Sequence, residues 1–184
     1  MEIPYHFLHP IKDNAYLRCL HLHIEKKILW PTLAAFRDLG IRYEGILCAD
    51  CIETSDDLFL MEYNSRFGDP QIQVLTAALQ SPSLLDIFVA IISGAVANLK
   101  FVWLNESVVL LVGCAPGYPR RPVVGQEIIG IEQAMQYPSD RGYFLPAGWS
   151  MRNGKIINAS GRCNNYIGFG STDEEAARHA YELA

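Results

Sequence analysis

The sequence contains no block of lysine and arginine, no apolar run as long as a bilayer is thick, and no serine or cysteine placed beside a histidine as an activated nucleophile. Each absence narrows what the chain does. Lys+Arg number 15 against 20 for Asp+Glu, a net charge of −5 at pH 7. Nothing here tracks a phosphate backbone, so nucleic acid is not an expected partner. A mildly acidic chain still binds phosphates locally, and a nucleotide therefore stays open. The longest apolar stretches, "IFVAIISGAVANL" at 87–99 and "SVVLLVGCA" at 107–115, are too short to span a membrane. The start, "MEIPYHFLHPIKD", lacks the charged and apolar regions of a signal peptide. Five scattered cysteines (Cys19, Cys48, Cys51, Cys114, Cys163) form no disulfide framework, and a reducing cytoplasm is the expected compartment.

The chain has 184 residues, half of them hydrophobic and 19% charged. This is the composition of a soluble globular protein with one domain or two small ones. Residues 1–14 show no period and read as a loop or arm. From Tyr16 to Leu39 the apolar positions follow a helical face, with a kink or break expected at Pro31 and a stop at Gly40. "YEGILCADCIE" (43–53) and "LFLMEYN" (58–64) read as antiparallel strands around the turn "TSDD". A helix over 69–79 is expected to take Asp69 as N-cap and Pro70 as its first residue. A second helix spans 81–94 and closes at Gly94.

Beyond residue 100 the texture turns to strands: "ESVVLLVGCA", then segments around 126–131, 142–151 and 155–168, with "RNGK" as a hairpin turn. "TDEEAARHAYEL" closes the chain as a helix with Thr172 as N-cap and Glu175 in the capping-box position. The expected fold class is α+β. The expected division is an α+β piece over 1–100 and a β-rich piece over 101–184 ending in a helix. No internal repeat is present.

The stretch "MEYNSRFGDP" (61–70) packs Glu62, Asn64, Arg66 and Asp69 into eight residues at the end of an apolar strand. Residues two apart on a strand share a face, so Glu62 and Asn64 point one way, and Met61 and Tyr63 the other. Carboxylate and amide oxygens are hard ligands suited to Mg²⁺. Arg66 offers a planar fork for phosphate or carboxylate. Asp69 caps the next helix or holds an amine. Across the hairpin, Asp50 falls roughly opposite Glu62 in an otherwise apolar run, where an unpaired carboxylate is costly. The same spacing also describes a polar strand edge with Asp69 as a plain N-cap and Asp50 turned to solvent or paired with Arg42.

"LMEYNSRFGDPQIQ" resembles the strand-to-helix motif of glycinamide ribonucleotide synthetase (phosphoribosylamine–glycine ligase), an ATP-grasp family of purine biosynthesis. The family motif reads Glu-Phe-Asn-x-Arg-Phe-Gly-Asp-Pro-Glu-x-Gln. The resemblance extends to "RYEGILCADCI" before it and to "GYP", "PAG" and "SGR" after it, covering roughly residues 16–184. It implies the C-terminal half of an ATP-grasp domain, followed by the family's small β-rich domain. It also implies that Glu62 and Asn64 ligate Mg²⁺ or Mn²⁺ and that Met61 touches the adenine of ATP. Asp50 has no carboxylate counterpart in the family motif, but other ATP-grasp enzymes carry an acidic metal ligand at about this place on the hairpin, and Asp50 is expected as a further ligand on that ground. Arg66, Gly68 and Asp69 would face phosphates or substrates, with Arg66 and Asp69 in the catalytic set, and Arg162 in "SGR" would join them. The implied reaction activates glycine as an acyl phosphate for attack by 5-phosphoribosylamine, which needs no side-chain nucleophile.

The sequence departs from the family at Gln71, where the motif has Glu, and at Pro146 and Trp149, where "His-Ala-Gly-Thr" has His and Thr. A further departure is Ser160, where "Gly-Gly-Arg" has its first Gly. The family's N-terminal domain and the lobe with the ATP-binding lysines have no counterpart here, so a separate N-terminal half is an expected partner. A related ligase with other substrates and a non-catalytic binding module remain as rival readings. "CADC" places Cys48 and Cys51 on opposite strand faces and reads as packing. "HLH" (21–23) puts its histidines on different helical faces. "PRRP" (119–122) reads as a solvated turn.

Overall fold

The structure, a computed structural model, describes residues 5–8 and 15–184. Helices and antiparallel strands mix along the chain, an α+β architecture, and two compact units divide it. Of the described residues, the first comprises 5–8, 73–78 and 104–184; the second comprises 15–72 and 79–103.

The first unit is built on a four-stranded antiparallel sheet in the order β1-β6-β10-β7: β1 Tyr5–Leu8, β6 Ser107–Cys114, β10 Arg162–Gly170 and β7 Gly142–Pro146. Its centre is "SVVLLV", buried along its whole length because both faces of β6 are covered. Val108, Leu110 and Val112 meet Ile167 with Val74 and Ala78 of α3 (Gln71–Ala78). Val109 and Leu111 meet Ala176 and Ala180 of the closing helix α6 (Asp173–Leu183). Two glycines of β10 let α6 approach so closely: a Cβ on Gly168 would stand 2.1 Å from the Ala176 carbonyl oxygen. Thr172 caps α6 by accepting the Glu175 N–H, and Glu175 reaches back to the N–H and hydroxyl of Ser171, one residue earlier than the simplest capping box. A two-stranded hairpin, β8 Trp149–Arg152 and β9 Lys155–Asn158, turns at Asn153–Gly154, both with positive φ.

Four expectations shift in this unit. The segments 142–151 and 155–168, each read as one strand, divide into β7 and β8 and into β9 and β10, which belong to different sheets. Tyr5–Leu8, read as part of an arm, is a strand paired antiparallel to β6. The segment around 126–131 is not a strand but a loop with one bridge, Glu127 to Ile157, leading into the short helix α5 (Ile131–Met135).

The second unit opens with a helical run, α1 (Ala15–Ile24) and α2 (Trp30–Asp38), joined without a break by a π-helical turn at Glu25–Leu29. The widening falls just before Pro31, whose ring nitrogen has no hydrogen for the carbonyl four residues back. It takes the place of the expected kink. The hairpin β2 (Cys48–Glu53) and β3 (Leu58–Asn64) follows, closed by Thr54, whose hydroxyl accepts the Asp56 and Asp57 N–H groups. Strand β2 starts five residues later than the sequence pattern suggests. Helix α3 opens at Gln71 rather than at Asp69–Pro70, which form the turn before it, and the Ile72 N–H bonds to the Gly68 carbonyl. Helix α4 (Leu84–Ser93) lies between two short strands, β4 (Leu79–Ser81) and β5 (Val102–Trp103). Ser83 and Asp86 form its capping box, and Gly94 ends it in the left-handed conformation. No helix among the described residues is long and apolar enough to cross a membrane.

Candidate functional site: a carboxylate–amide cluster on the hairpin

The register of β2 and β3 contains the device that builds the site. Leu58, Phe59 and Leu60 pair with Glu53, Ile52 and Cys51, but Asp50 pairs with Glu62, leaving Met61 as an extra residue in a β-bulge. In a regular strand Leu58, Leu60, Glu62 and Asn64 would share one face. The bulge instead puts Leu58 and Leu60 with Tyr63 on one face, and Glu62 and Asn64 with Asp50 and Cys48 on the other. Met61 itself is 67% exposed.

On the polar face the amide of Asn64 joins the two carboxylates. Its Nδ2 donates to Asp50 Oδ2 at 3.1 Å and to Glu62 Oε1 at 3.0 Å. Asp50 does not pair with Arg42, which binds Glu44 instead. Cys48 lies beside the cluster, with its Sγ 3.6 Å from Asp50 Oδ1. Burial, then the Asp50 carboxylate, push the Cys48 thiol above its ordinary pKa, while the Gly68 backbone and the Arg66 guanidinium pull it down. Arg66 and Gly68 are thus felt at the same end of the hairpin. Arg66 is exposed and donates to the Phe67 carbonyl at 2.8 Å, and the Phe67 ring meets that of Phe88 with centroids 6.4 Å apart. Gly68 is buried and Asp69 exposed at the corner leading to α3.

Two carboxylates and an amide oxygen form a hard-oxygen donor set of the kind Mg²⁺ and Mn²⁺ take. Among the described residues no three His, Cys, Asp or Glu side chains gather as a metal site. This cluster therefore reaches three donors only by counting Asn64. The observed amide geometry fits the group: its NH₂ fills the space between the carboxylates, and half a turn about its Cβ–Cγ bond presents the oxygen there.

The remaining sequence candidates lie in the first unit. Arg162 opens β10, where the ladder with β6 shifts register at Cys163. Pro146 ends β7. Trp149 stacks on Phe144, with centroids 6.0 Å apart, and its Nε1 donates to the buried Asn164 at 2.9 Å. Ser160 donates to the Arg162 carbonyl. Sequence reasoning overlooked two features, the bulge at Met61 and the contact of Cys48 with Asp50. The signal for the bulge was present in "LFLMEYN", where apolar Leu58 and Leu60 share parity with polar Glu62 and Asn64.

Residues 13–72 match the family described as phosphoribosylglycinamide synthetase, ATP-grasp (A) domain. More particularly, the chain is related in sequence and fold to phosphoribosylamine–glycine ligases. It is 34% identical over 158 residues to the ligase of Caldanaerobacter subterraneus, covering 86% of this chain and 36% of that one. The ligase of Mesorhizobium japonicum is 35% identical over 156 residues, covering 85% of this chain and 36% of the relative. The crystal structure of the Thermotoga maritima ligase superposes with a TM-score of 0.67 at 31% identity, over 83% of this chain and 36% of that one. The chain therefore spans about a third of the length of the relatives it matches.

Proposed function

We propose that this chain supplies the metal-binding wall of an ATP-grasp carbon–nitrogen ligase that joins glycine to 5-phosphoribosylamine in purine biosynthesis. The observation that carries this reading is the Asp50–Glu62–Asn64 cluster, held by a bulged hairpin within the very segment that matches the family. Residues 1–100 are assigned to the partial ATP-grasp domain and 101–184 to the β-rich domain, although Tyr5–Leu8 and residues 73–78 belong to the compact unit of the latter, and the cytoplasm is the compartment in which ATP and these substrates are met.

Glu62, Asn64 and Asp50 would hold Mg²⁺ or Mn²⁺, which when bound neutralises ATP phosphate oxygens during γ-phosphoryl transfer. The glycine carboxylate takes the phosphoryl group and releases ADP. The amine of phosphoribosylamine then attacks the acyl carbon, the amide bond forms, and inorganic phosphate leaves. Arg66, exposed two residues after Asn64, neutralises phosphate or carboxylate charge. Gly68 keeps the corner narrow, and Asp69 positions the substrate amine. Met61, exposed at the bulge, covers the adenine. Arg162 contributes a cation from the β-rich domain.

A second reading, a related ligase with another amine or acid substrate, is favoured by Trp149. Its ring is tied to Phe144 and Asn164, where the family motif has a small hydroxyl residue. The test is ADP formation by this chain combined with a polypeptide that completes the ATP-grasp domain. ADP formation dependent on glycine and phosphoribosylamine, falling at least a hundredfold in Glu62→Gln, is the expected result. Turnover with a different amino acid alone selects the second reading, and equal turnover in Glu62→Gln refutes the metal assignment.

A further inference from the structure

The loop that leaves β6, residues 115–126, is braced more tightly than a solvated connection requires. Ala115 fixes its entry: it is buried, and its N–H donates to the Gly161 carbonyl at 2.8 Å. The chain then folds back on itself. The Arg121 N–H donates to the Gly117 carbonyl at 2.8 Å, and the Val123 N–H to the Pro116 carbonyl at 2.9 Å. Gly117 makes this turn possible, with φ of +84° and the Arg121 carbonyl oxygen 2.2 Å from where a Cβ would stand. The Tyr118 ring lies against Gly161, where it also leaves no room for a Cβ. Asn158 of β9, only 3% exposed, holds the exit. Its Nδ2 donates to the Val123 carbonyl, its Oδ1 accepts the Gln126 N–H and its backbone carbonyl accepts the Gly125 N–H, each at 2.8 Å. A buried amide satisfied in this way keeps its partners in one arrangement.

This braced turn carries two adjacent cations, Arg120 and Arg121, both exposed. In a chain with 20 acidic residues against 15 basic ones, a carboxylate partner is the ordinary arrangement. Lys27, Arg42, Lys155 and Arg178 each have one. Arg120 and Arg121 have no ion pair and no side-chain hydrogen bond among the described residues. The nearest carboxylate along the chain, Glu127, is held by Lys155 at 2.6 Å. Two guanidinium forks therefore stand side by side on a fixed backbone with every donor open to a ligand. Because the turn is already ordered, an anion binding there does not have to order it.

We propose that the turn at 116–123 is a binding site for an ionised phosphate group, gripped by Arg120 and Arg121. A phosphate monoester carries a charge of about −1.5 to −2 near neutral pH and three acceptor oxygens, which two guanidinium groups match in charge and in paired hydrogen bonds. A carboxylate brings one charge and fills one fork. The site stands apart from the ligase reading, since neither ATP nor the hairpin cluster takes part in it. Free phosphate and the phosphate end of a small metabolite share this chemistry, and the experiment separates them.

Isotope-labelled residues 1–184, free of ATP and divalent metal, are titrated with glycerol 3-phosphate, with inorganic phosphate and with glycerol. Proton–nitrogen correlation spectra follow the backbone signals of 117–123 and the arginine Nε–H signals, those of Arg120 and Arg121 being assigned by their loss in Arg120→Gln and Arg121→Gln. Saturable shifts of both Nε–H signals are expected with a phosphate ligand, and none with glycerol. Each single substitution weakens binding at least fivefold and the double substitution abolishes saturation, with the rest of the spectrum unmoved. Arg152→Gln, which removes an exposed arginine of β8 outside the turn, leaves binding unchanged. Tighter binding of glycerol 3-phosphate than of inorganic phosphate supports the site and assigns it to an esterified phosphate; equal or tighter binding of inorganic phosphate supports it and assigns it to the free ion. No saturable shift with either ligand overturns the proposal. Binding that survives the double substitution, or shifts confined to Arg66 and the β2–β3 hairpin, overturns it equally.

Discussion

Asp50→Asn separates a metal ligand from a structural carboxylate. Asp50 and Glu62 face each other across the hairpin, and their oxygens lie 3.1 and 3.0 Å from the one Asn64 nitrogen, so they are at most about 6.1 Å apart. At that separation two full charges repel by about 0.7 kcal/mol in water and about 2.7 kcal/mol at an effective dielectric of about 20. Glu62 is exposed and Asp50 half-buried, which places the true figure toward the low end, in line with the ~0.2–1 kcal/mol of like charges on facing strands. Removing one charge relieves this repulsion but weakens the Asn64 hydrogen bond by about 1 kcal/mol. In EDTA the two effects nearly cancel, and Asp50→Asn unfolds within about 1 kcal/mol of the parent. With Mg²⁺ at about ten times its dissociation constant, the parent gains about 1.4 kcal/mol, a shift of several degrees for a unit of this size, and the variant gains almost nothing. Thermal unfolding by circular dichroism, with and without Mg²⁺, reads both quantities. A loss above about 2 kcal/mol in EDTA makes Asp50 a structural residue, and an undiminished Mg²⁺ shift in the variant removes it from the ligand set.

Two further perturbations test the first unit. Gly168→Ala places a methyl group 2.1 Å from the Ala176 carbonyl oxygen and 2.5 Å from the Ala180 nitrogen, both backbone atoms of α6. The helix must lift off the sheet, at a cost of about 1–3 kcal/mol in urea unfolding, and a change below about 0.5 kcal/mol contradicts the close approach. Glu175 is held below the ordinary glutamate range by its bonds from Ser171. Because the folded state binds this proton less tightly than the unfolded one, the stabilisation is present above the ordinary value and lost as pH falls through the lowered one. The parent is therefore more stable than Glu175→Gln at pH 7, and the gap closes below about pH 4. A gap that stays constant from pH 7 to 3 shows that the carboxylate is not the cap.

Local signals in the sequence led to the right elements wherever structure is set within a few residues. Thr172 with Glu175 marks a helix start by the donors it satisfies, and Asn153–Gly154 marks a hairpin by its positive φ. The helix read over 81–94 exists but starts at Leu84, capped by Ser83 with Asp86, after a strand that takes in Ser81. The apolar run 108–112 reads as a strand, and so it is. What escaped depends on distant partners. Tyr5–Leu8 has no periodicity of its own and becomes a strand only by pairing with β6 a hundred residues on. The hairpin register was legible at Asp50 and Glu62, yet the bulge that sets the faces went unread, although "LFLMEYN" carries the parity conflict that signals it. In Asn64 the sequence showed a ligand type, while its role as the link between the two carboxylates is a matter of geometry.

The central claim, that the hairpin holds a divalent cation, is tested most directly by titrating residues 1–184 with Mn²⁺ and following the free-ion electron spin resonance signal. One site is expected, displaced by Mg²⁺ and weakened at least tenfold in both Glu62→Gln and Asn64→Leu. Equal Mn²⁺ binding by the parent and both variants, or none by the parent, contradicts the account.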